Sequence, residues 1–200
     1  MSQQTAFEKA MALIDAANGA DPNRETADGM EWPKELLYSR RMSDMLQRYA
    51  PAADDAVKLA VRAQHVRRWT SPRDAYPMDR DGYLQWRKDL YRFHADTAAE
   101  LLAQAGYGAD VIDRVKQAVG KRALKKNPDT QLLEDVIALV FIEYYMLDFA
   151  AKHPEYDEDK WRGIIRKTWE KMSGQARDFA LSGGIRLPEP LVPLIQRSIE

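Results

Sequence analysis

The sequence predicts an all-α protein, a single-domain bundle of about eight or nine helices over residues 1–200. Apolar residues recur at helical spacing through most of the chain, and glycine or proline interrupts them at intervals. No stretch shows the strict apolar–polar alternation of a half-buried strand. The 200 residues are 45% hydrophobic and 30% charged, which excludes a disordered chain and fits one ordinary core.

Four helices are predicted in the first half of the chain, over 6–17, 33–50, 52–69 and 81–105. Pro33 suits the first turn of the second helix, and Pro51 ends it. Gly106 is typical of the residue that follows a helix C-terminus. Residues 19–32 and 70–77, which are polar or proline-containing, are predicted to be loops.

The second half is predicted to begin with helices over 109–124 and 130–152, followed by one that starts near Asp157. Short helical segments are expected around 175–181 and 189–199. The helix over 130–152 is apolar on most of its faces, which is typical of the central helix of a bundle. The cluster Asn127–Thr130 supplies its turn and N-cap.

Composition excludes several classes of protein. The absence of cysteine excludes disulfide scaffolds, thiolate catalysis and iron–sulfur clusters. The formal net charge of −1 does not favour attraction of the whole molecule to nucleic acid or to an anionic membrane. No apolar run approaches the roughly 18 residues of a membrane span, and the N-terminus does not resemble a signal peptide. We therefore expect a cytoplasmic protein with no membrane partner.

The chain contains three histidines, and two of them are candidates for chemistry. His153 precedes a proline at a predicted helix C-terminus, where a cation complements the helix dipole. His65 and His94 lie on consecutive predicted helices, and each is either a hydrogen-bonded core residue or a ligand or proton carrier. Because a loop of about ten residues joins those two helices, we expect the two imidazoles to lie near each other.

Three acidic residues of the apolar helix need a partner if they are buried. Asp135 is expected to point inward, where it would bind a metal, complement the helix dipole or pair with a buried arginine, and the arginine pairing is favoured. Glu134 is a further tentative metal ligand. Glu143 either is buried with a cation, a hydrogen-bond donor or a metal as its partner, or forms the exposed stripe of this helix.

A cationic and aromatic segment, residues 62–94, is the strongest local signal. Seven of its eight cations are arginine, which favours bidentate binding of phosphate or carboxylate. The residues predicted to bind phosphate are Arg67, Arg68, Arg80 and Arg87, and those predicted to stack on a base are Trp69 and Trp86. The alternative is a solvated face whose arginines pair with neighbouring aspartates.

Four stretches of the chain match the pattern of a known family: 33–42 (PKELLYSRRM), 63–69 (AQHVRRW), 76–95 and 133–145. Together they resemble a domain-of-unknown-function family of small bacterial and fungal proteins, some fungal members of which are named glutamyl-tRNA synthetase. The likeness covers nearly the whole chain. Lys171–Gly174 matches only part of a synthetase signature loop, and no His-x-Gly-His motif or Rossmann pattern accompanies it.

The helix order also resembles, more remotely, that of the HD-type phosphohydrolases, which are all-α metalloenzymes with a His, a His-Asp pair and a later Asp as ligands. In this register Tyr38 stands where the first His is expected, and Gln64-His65 replaces the His-Asp pair. Asp135 matches the last Asp, while His94 is an additional candidate ligand. The resemblance thus implies an HD-like scaffold with a degenerate metal site or with none.

Two functions follow as hypotheses. The first is a metal-assisted phosphohydrolase acting on a nucleotide or another phosphorylated small molecule. In it His65, His94 and Asp135 hold a divalent metal that activates water, and the arginines bind the phosphates. The second is a non-catalytic all-α module that binds a phosphorylated ligand or RNA through the same arginines and aromatic residues.

Overall fold

Residues 4–199 are described by a computed structural model, and they are mostly helical. Their α-helices are α1 (Ala6–Gly19), α2 (Lys34–Tyr49), α3 (Asp55–Ala63), α4 (Arg80–Ala105), α5 (Ala109–Val119), α6 (Pro128–Val140), α7 (Met146–Lys152), α8 (Glu158–Lys171), α9 (Gly174–Phe179) and α10 (Val192–Ile199). The short 3-10 helices are Arg68–Thr70, Arg73–Ala75 and Glu189–Leu191. The all-α prediction is therefore confirmed.

Helix α6 is central, as its apolar sequence predicts. It contacts α2, α3, α5, α8 and α9, and Leu133, Val136 and Leu139 are almost completely buried. Asn127 caps its N-terminus by accepting hydrogen bonds from the backbone N–H groups of Asp129 and Thr130. A π-helical turn, Phe141–Tyr145, joins α6 to α7, so the helix predicted over 130–152 is continuous but widened at one place.

A two-stranded antiparallel hairpin occupies part of the predicted loop 19–32. Strand β1 (Arg24–Ala27) pairs with β2 (Met30–Pro33), with Arg24 opposite Pro33 and Ala27 opposite Met30. Asp28 and Gly29 both have positive φ, as two-residue hairpin turns with right-handed strand twist require. The hairpin is largely exposed, so it lacks the apolar alternation by which strands are recognised from sequence.

Two helices are shorter than predicted, and each is followed, two to four residues later, by a residue in the left-handed backbone region. Helix α3 stops at Ala63 instead of reaching residue 69, and Arg67 has φ 54°. Helix α5 stops at Val119 instead of reaching 124, and Lys121 has φ 54°. Within residues 4–199, none of the helices combines the length and the apolar character needed to cross a membrane.

Candidate functional site

A cavity of about 360 Å³ opens between α2, α4, α6 and the turn that follows α3. The residues that line it are Lys34, Glu35, Tyr38, Gln64, His65, Arg68, Arg87, Leu90, Tyr91, His94, Lys121, Ile137, Phe141 and Tyr145. They come from five separate stretches of the chain, and most of them are polar. The cavity therefore brings together polar side chains that are spread over more than a hundred residues of the sequence.

The two histidines lie next to each other in the cavity wall, which confirms the predicted proximity. The ring centroids of His65 and His94 are 5.6 Å apart. On its other side, His65 stacks on Tyr38 with a centroid distance of 4.3 Å and an interplanar angle of 16°. Tyr38, which occupies the position of the first His in the HD-type register, is thus part of the same cluster.

The tautomer of His94 follows from its hydrogen bond. Its Nδ1 lies 3.0 Å from the carbonyl oxygen of Val66, which can only accept, so Nδ1 carries the proton. Burial and the adjacent His65 lower the pKa of His94 to about 3. Burial and the charge of Arg68 also hold the pKa of His65 well below its usual value. Both imidazoles are therefore neutral near pH 7.

Glu35 is a buried carboxyl group that the sequence reasoning missed. It lies in the first turn of α2, where an acid is expected simply to complement the helix dipole. Its side chain is instead 7% exposed, and Oε2 lies 3.4 Å from Nδ1 of His65. Burial raises the pKa of Glu35 to about 7, although Arg68 and Lys34 oppose the rise. Its backbone N–H donates to Oδ2 of the buried Asp21, at 3.0 Å, and this bond anchors the turn that carries it.

Four cations line the cavity, and the sequence reasoning identified two of them. Arg68 lies with its guanidinium carbon 5.0 Å above the ring of Trp86, and Arg87 donates hydrogen bonds to the hydroxyl groups of Tyr83 and Tyr91. Lys34 and Lys121 were not predicted.

The other two predicted phosphate-binding arginines, Arg67 and Arg80, are exposed and do not line the cavity. The predicted four-arginine cleft is thereby corrected. Arg67 adopts a left-handed conformation in which its backbone N–H donates to Oδ1 of Asn18, at 3.2 Å. Because of this turn, Arg67 is exposed to solvent, whereas the next residue, Arg68, lines the cavity. Arg80 begins α4 on the exposed side of that helix.

The tryptophans are not placed for stacking on a base in this cavity. Trp86 is buried, its ring is packed against Arg68, and its Nε1 donates to the carbonyl of Ser71 at 3.0 Å. Trp69 lies half-buried in the 3-10 turn Arg68–Thr70 and does not line the cavity. The aromatic rings of the wall are instead Tyr38, Tyr91, Phe141 and Tyr145.

Asp135 faces away from the cavity and anchors the C-terminal helices. It is 2% exposed, and it accepts hydrogen bonds from the backbone N–H and hydroxyl of Ser173, from the Tyr49 hydroxyl and from the Gln131 amide. Among residues 4–199, Asp135 has neither the predicted arginine partner nor the predicted contact with His65 and His94. The physical reason is that Ser173, which caps α9, supplies the donors that a buried carboxylate requires.

Glu134 and Glu143 both pair with cations. Lys121 donates to the buried Glu134, and although burial favours the neutral acid, the charge of Lys121 lowers the pKa of Glu134. Glu143 pairs with Arg48. In the chain between residues 4 and 199, no three His, Asp or Glu side chains are gathered as a metal site requires. The set His65, His94, Asp135 and Glu134 therefore does not fit a single metal ion.

The charge of the cavity is unbalanced. Within the part of the chain that the structure describes, only Lys121 of the four lining cations forms an ion pair, and its partner is Glu134. The single carboxyl group among the lining residues is Glu35, whose raised pKa leaves it partly neutral at pH 7. The arrangement is thus a partly enclosed pocket with an excess of positive charge and with a proton-exchanging group in its wall.

No curated protein and no solved structure matches this chain. The likeness of its helix order to the HD-type phosphohydrolases stays a prediction. The resemblance to a family of unknown function is confirmed. The chain belongs to the family described as "Domain of unknown function (DUF4202)", whose sequence model matches residues 8–195.

Proposed function

We propose that this protein binds a small phosphorylated molecule in the cavity, with its phosphoryl group on Arg68 and Arg87. The observation that carries the proposal is the uncompensated positive charge of the wall. Buried or half-buried cations are normally paired, so cations left without a carboxylate partner favour an anionic ligand. A volume of about 360 Å³ is also within the usual range of about 300–1,000 Å³ for small-molecule pockets.

The arginine at the centre of this proposal is held in place before any ligand arrives. Arg87 donates to the hydroxyl of Tyr83 at 3.3 Å and also to that of Tyr91. Because neutral hydroxyl groups position the guanidinium without cancelling its charge, its remaining N–H groups stay available for phosphate oxygens. A group positioned in advance loses less entropy on binding.

Two phenols add hydrogen-bond donors to the wall. The hydroxyl oxygen of Tyr91 accepts from Arg87, and that of Tyr145 accepts from Arg41 at 2.8 Å. Since each oxygen already accepts a charged donor, its own proton is directed to a further acceptor. An oxyanion in the cavity would be such an acceptor.

The test is the stabilisation of the protein by phosphate. We expect inorganic phosphate and ribose 5-phosphate to raise the melting temperature more than chloride does at equal ionic strength, because a ligand bound only by the native state stabilises it. The double variant Arg68→Gln/Arg87→Gln should weaken binding at least tenfold, as measured by calorimetric titration. Arg67→Gln/Arg80→Gln is the matched control, since it removes two exposed arginines of the same segment. Equal losses in the two double variants would overturn the proposal.

Hydrolysis of the bound phosphate ester is a second candidate, favoured by the contact between Glu35 and His65. In this reaction a water oxygen bonds to phosphorus while the bond from phosphorus to the ester oxygen breaks. His65 accepts the proton of the water, and the neutral Glu35 donates its proton to the leaving oxygen. Proton transfer from His65 to Glu35, directly or through one water, then restores both groups.

Turnover of a phosphate monoester by protein treated with chelator tests this second candidate. We expect Glu35→Gln to lower kcat by about 100-fold or more, because general acid catalysis contributes about 10²–10⁴. Binding of inorganic phosphate should be retained. The control is Glu31→Gln, which changes an exposed carboxylate in β2. Turnover unaffected by Glu35→Gln, or no turnover in the wild type, would leave binding as the sole function of the cavity.

A further inference from the structure

We infer that the natural ligand carries a second phosphoryl group, and that Lys88 and Arg122 bind it in a groove beside the cavity. The inference rests on the proposed function and adds the chemical class of ligand: a small molecule with two phosphoryl groups on separate positions, such as a sugar bisphosphate. Its basis is a groove of about 500 Å³ between α4 and α5, which shares one wall residue with the cavity and has an excess of positive charge.

The α4–α5 groove is formed by one face of each helix. Its residues recur at helical spacing from Lys88 to Asp96 on α4, and from Asp113 on α5 to Gly120, which directly follows α5. Two small residues face each other in it, since a Cβ placed on Gly120 would lie 3.6 Å from the Cβ of Ala95. The groove therefore exists because small residues lie between two rows of longer polar side chains.

The charges that line the groove are unbalanced, as they are in the cavity. The cations of the groove are Lys88, Arg92, Lys116 and Arg122, and its carboxylates are Asp96 and Asp113. With four lysines and arginines in each, the two walls hold eight of them, against three carboxyl groups. The whole chain has 30 and 31, so an even distribution would place equal numbers there. Because concave walls of one sign concentrate the electric field, the groove attracts anions.

Lys88 and Arg122 are the cations of the groove that are available to an anion. The other two are paired, Lys116 with Asp96 at 3.0 Å, and Arg92 with the aspartate three positions before it at 2.8 Å. In the part of the chain that the structure describes, Lys88 and Arg122 form no ion pair, and both are exposed. Two unpaired cations therefore line the groove with a single unpaired carboxylate.

Tyr91 belongs to the walls of both the cavity and the groove. The guanidinium carbon of Arg87 lies 5.3 Å from the centroid of its ring, and Nζ of Lys121 lies 5.8 Å from it. The residues that follow these two in sequence, Lys88 and Arg122, line the groove. Since Arg87 binds the first phosphoryl group in the proposed function, a second group needs only a short spacer, about as large as a sugar ring, to reach the groove.

Two pairs of phosphate compounds test the inference by calorimetric titration. Ribose 1,5-bisphosphate has a second phosphoryl group across the sugar from that of ribose 5-phosphate, whereas the second group of pyrophosphate is joined to the first without a spacer. We expect the wild type to bind ribose 1,5-bisphosphate at least tenfold more tightly than ribose 5-phosphate, because the added group gains charge-assisted hydrogen bonds. An ionic strength of about 0.15 M screens charges more than about 8 Å away, so that mainly direct contacts are measured.

The double variant Lys88→Gln/Arg122→Gln should abolish the preference for the bisphosphate and leave the affinities for ribose 5-phosphate and pyrophosphate within about twofold. Both positions are exposed, so the fold should be retained. The control is Lys126→Gln/Arg166→Gln, which removes one exposed lysine and one exposed arginine that line neither the cavity nor the groove.

Three results would overturn the inference. They are equal binding of the two ribose phosphates by the wild type, a preference that survives Lys88→Gln/Arg122→Gln, and a loss of pyrophosphate binding in that variant as large as the loss of bisphosphate binding, which would indicate attraction by net charge alone. An equal loss of the preference in the control would lead to the same conclusion. Failure of ribose 5-phosphate and inorganic phosphate to bind the wild type would instead refute the proposed function itself.

Discussion

Replacement of Asp135 by alanine separates a structural role from a role in the site. The carboxylate accepts four hydrogen bonds, the two shortest from the hydroxyl and backbone N–H of Ser173, at 2.6 and 2.8 Å. Tyr49 at 3.2 Å and Gln131 at 2.9 Å complete the set. We therefore expect Asp135→Ala to destabilise the fold without affecting the cavity.

The magnitude follows from the bonds to Ser173. Hydrogen bonds to a charged group contribute about 1.5–3 kcal/mol each, and Tyr49 and Gln131 are exposed enough to bind water instead. Counting the two Ser173 bonds, we expect a loss of about 3–6 kcal/mol in the free energy of unfolding. In a chain of this size that corresponds to roughly 6–24 °C in melting temperature.

The assay is guanidinium denaturation followed by circular dichroism, with phosphate stabilisation measured in the same variant. Asp178→Ala is the control, because Asp178 is an exposed acid of α9, and its replacement should change stability by at most about 0.5 kcal/mol. Ser173→Ala, which removes one donor and the cap of α9, should cost less than Asp135→Ala. A loss below about 1 kcal/mol, or normal stability combined with a lost phosphate response, would refute the structural role of Asp135.

Three further predictions concern pH, backbone strain and metal. The pKa of Glu35, raised from 4.5 to about 7, means that the native state holds this proton more tightly than the unfolded state. The contribution of Glu35 to the free energy of unfolding should therefore be complete below pH 4.5 and fall by about 3 kcal/mol as the pH rises to 7. Denaturation curves at several pH values should show this fall relative to Glu35→Gln, and parallel pH profiles would contradict it. Ala123 is exposed and has φ 52°, so Ala123→Gly should raise stability by about 0.5–1 kcal/mol, whereas Ala103→Gly in α4 should lower it by about 1 kcal/mol. If thermal melts showed that both glycine variants lose the same amount of stability, Ala123 would not be strained. Finally, because no three ligands gather around the histidines in the part of the chain that the structure describes, exhaustive chelation should leave phosphate stabilisation unchanged. Its disappearance, with recovery on adding one divalent ion per chain, would restore the metal hypothesis.

Most of the helices could be predicted because their signals are local. Apolar residues at helical spacing, Pro33 immediately before a first turn, Asn127 as an N-cap and Gly106 after a C-terminus each reflect the backbone chemistry of a few neighbouring residues. The hairpin was missed although Asp28-Gly29 is a strong turn signal, because its exposed strands carry no apolar alternation. The shortened α3 and α5 are each followed by a turn that contains a left-handed residue other than glycine, which local propensity does not anticipate.

The candidate site could be predicted only in part. His65 and His94 were correctly expected to lie together, because consecutive helices joined by a short connection pack as neighbours. Arg67 and Arg80 were included with Arg68 and Arg87 because composition alone does not distinguish exposed arginines from those in a cavity wall. A cytoplasmic location, an RNA partner and a catalytic role stay predictions.

By itself, the sequence determined the fold class, the order of the helices and the central position of the apolar helix α6, because these depend on periodicity and on burial of apolar surface. Only the tertiary structure decided which charges face one another. Glu35 is an ordinary first-turn acid until His65, thirty residues later, is packed against it, and Lys121 joins the site through a turn after α5. Asp135 and Glu134 are adjacent in sequence, yet one binds the cap of α9 and the other a cavity lysine. The physical reason is that burial and pairing of a charge depend on neighbours brought from distant segments, and no local pattern encodes them.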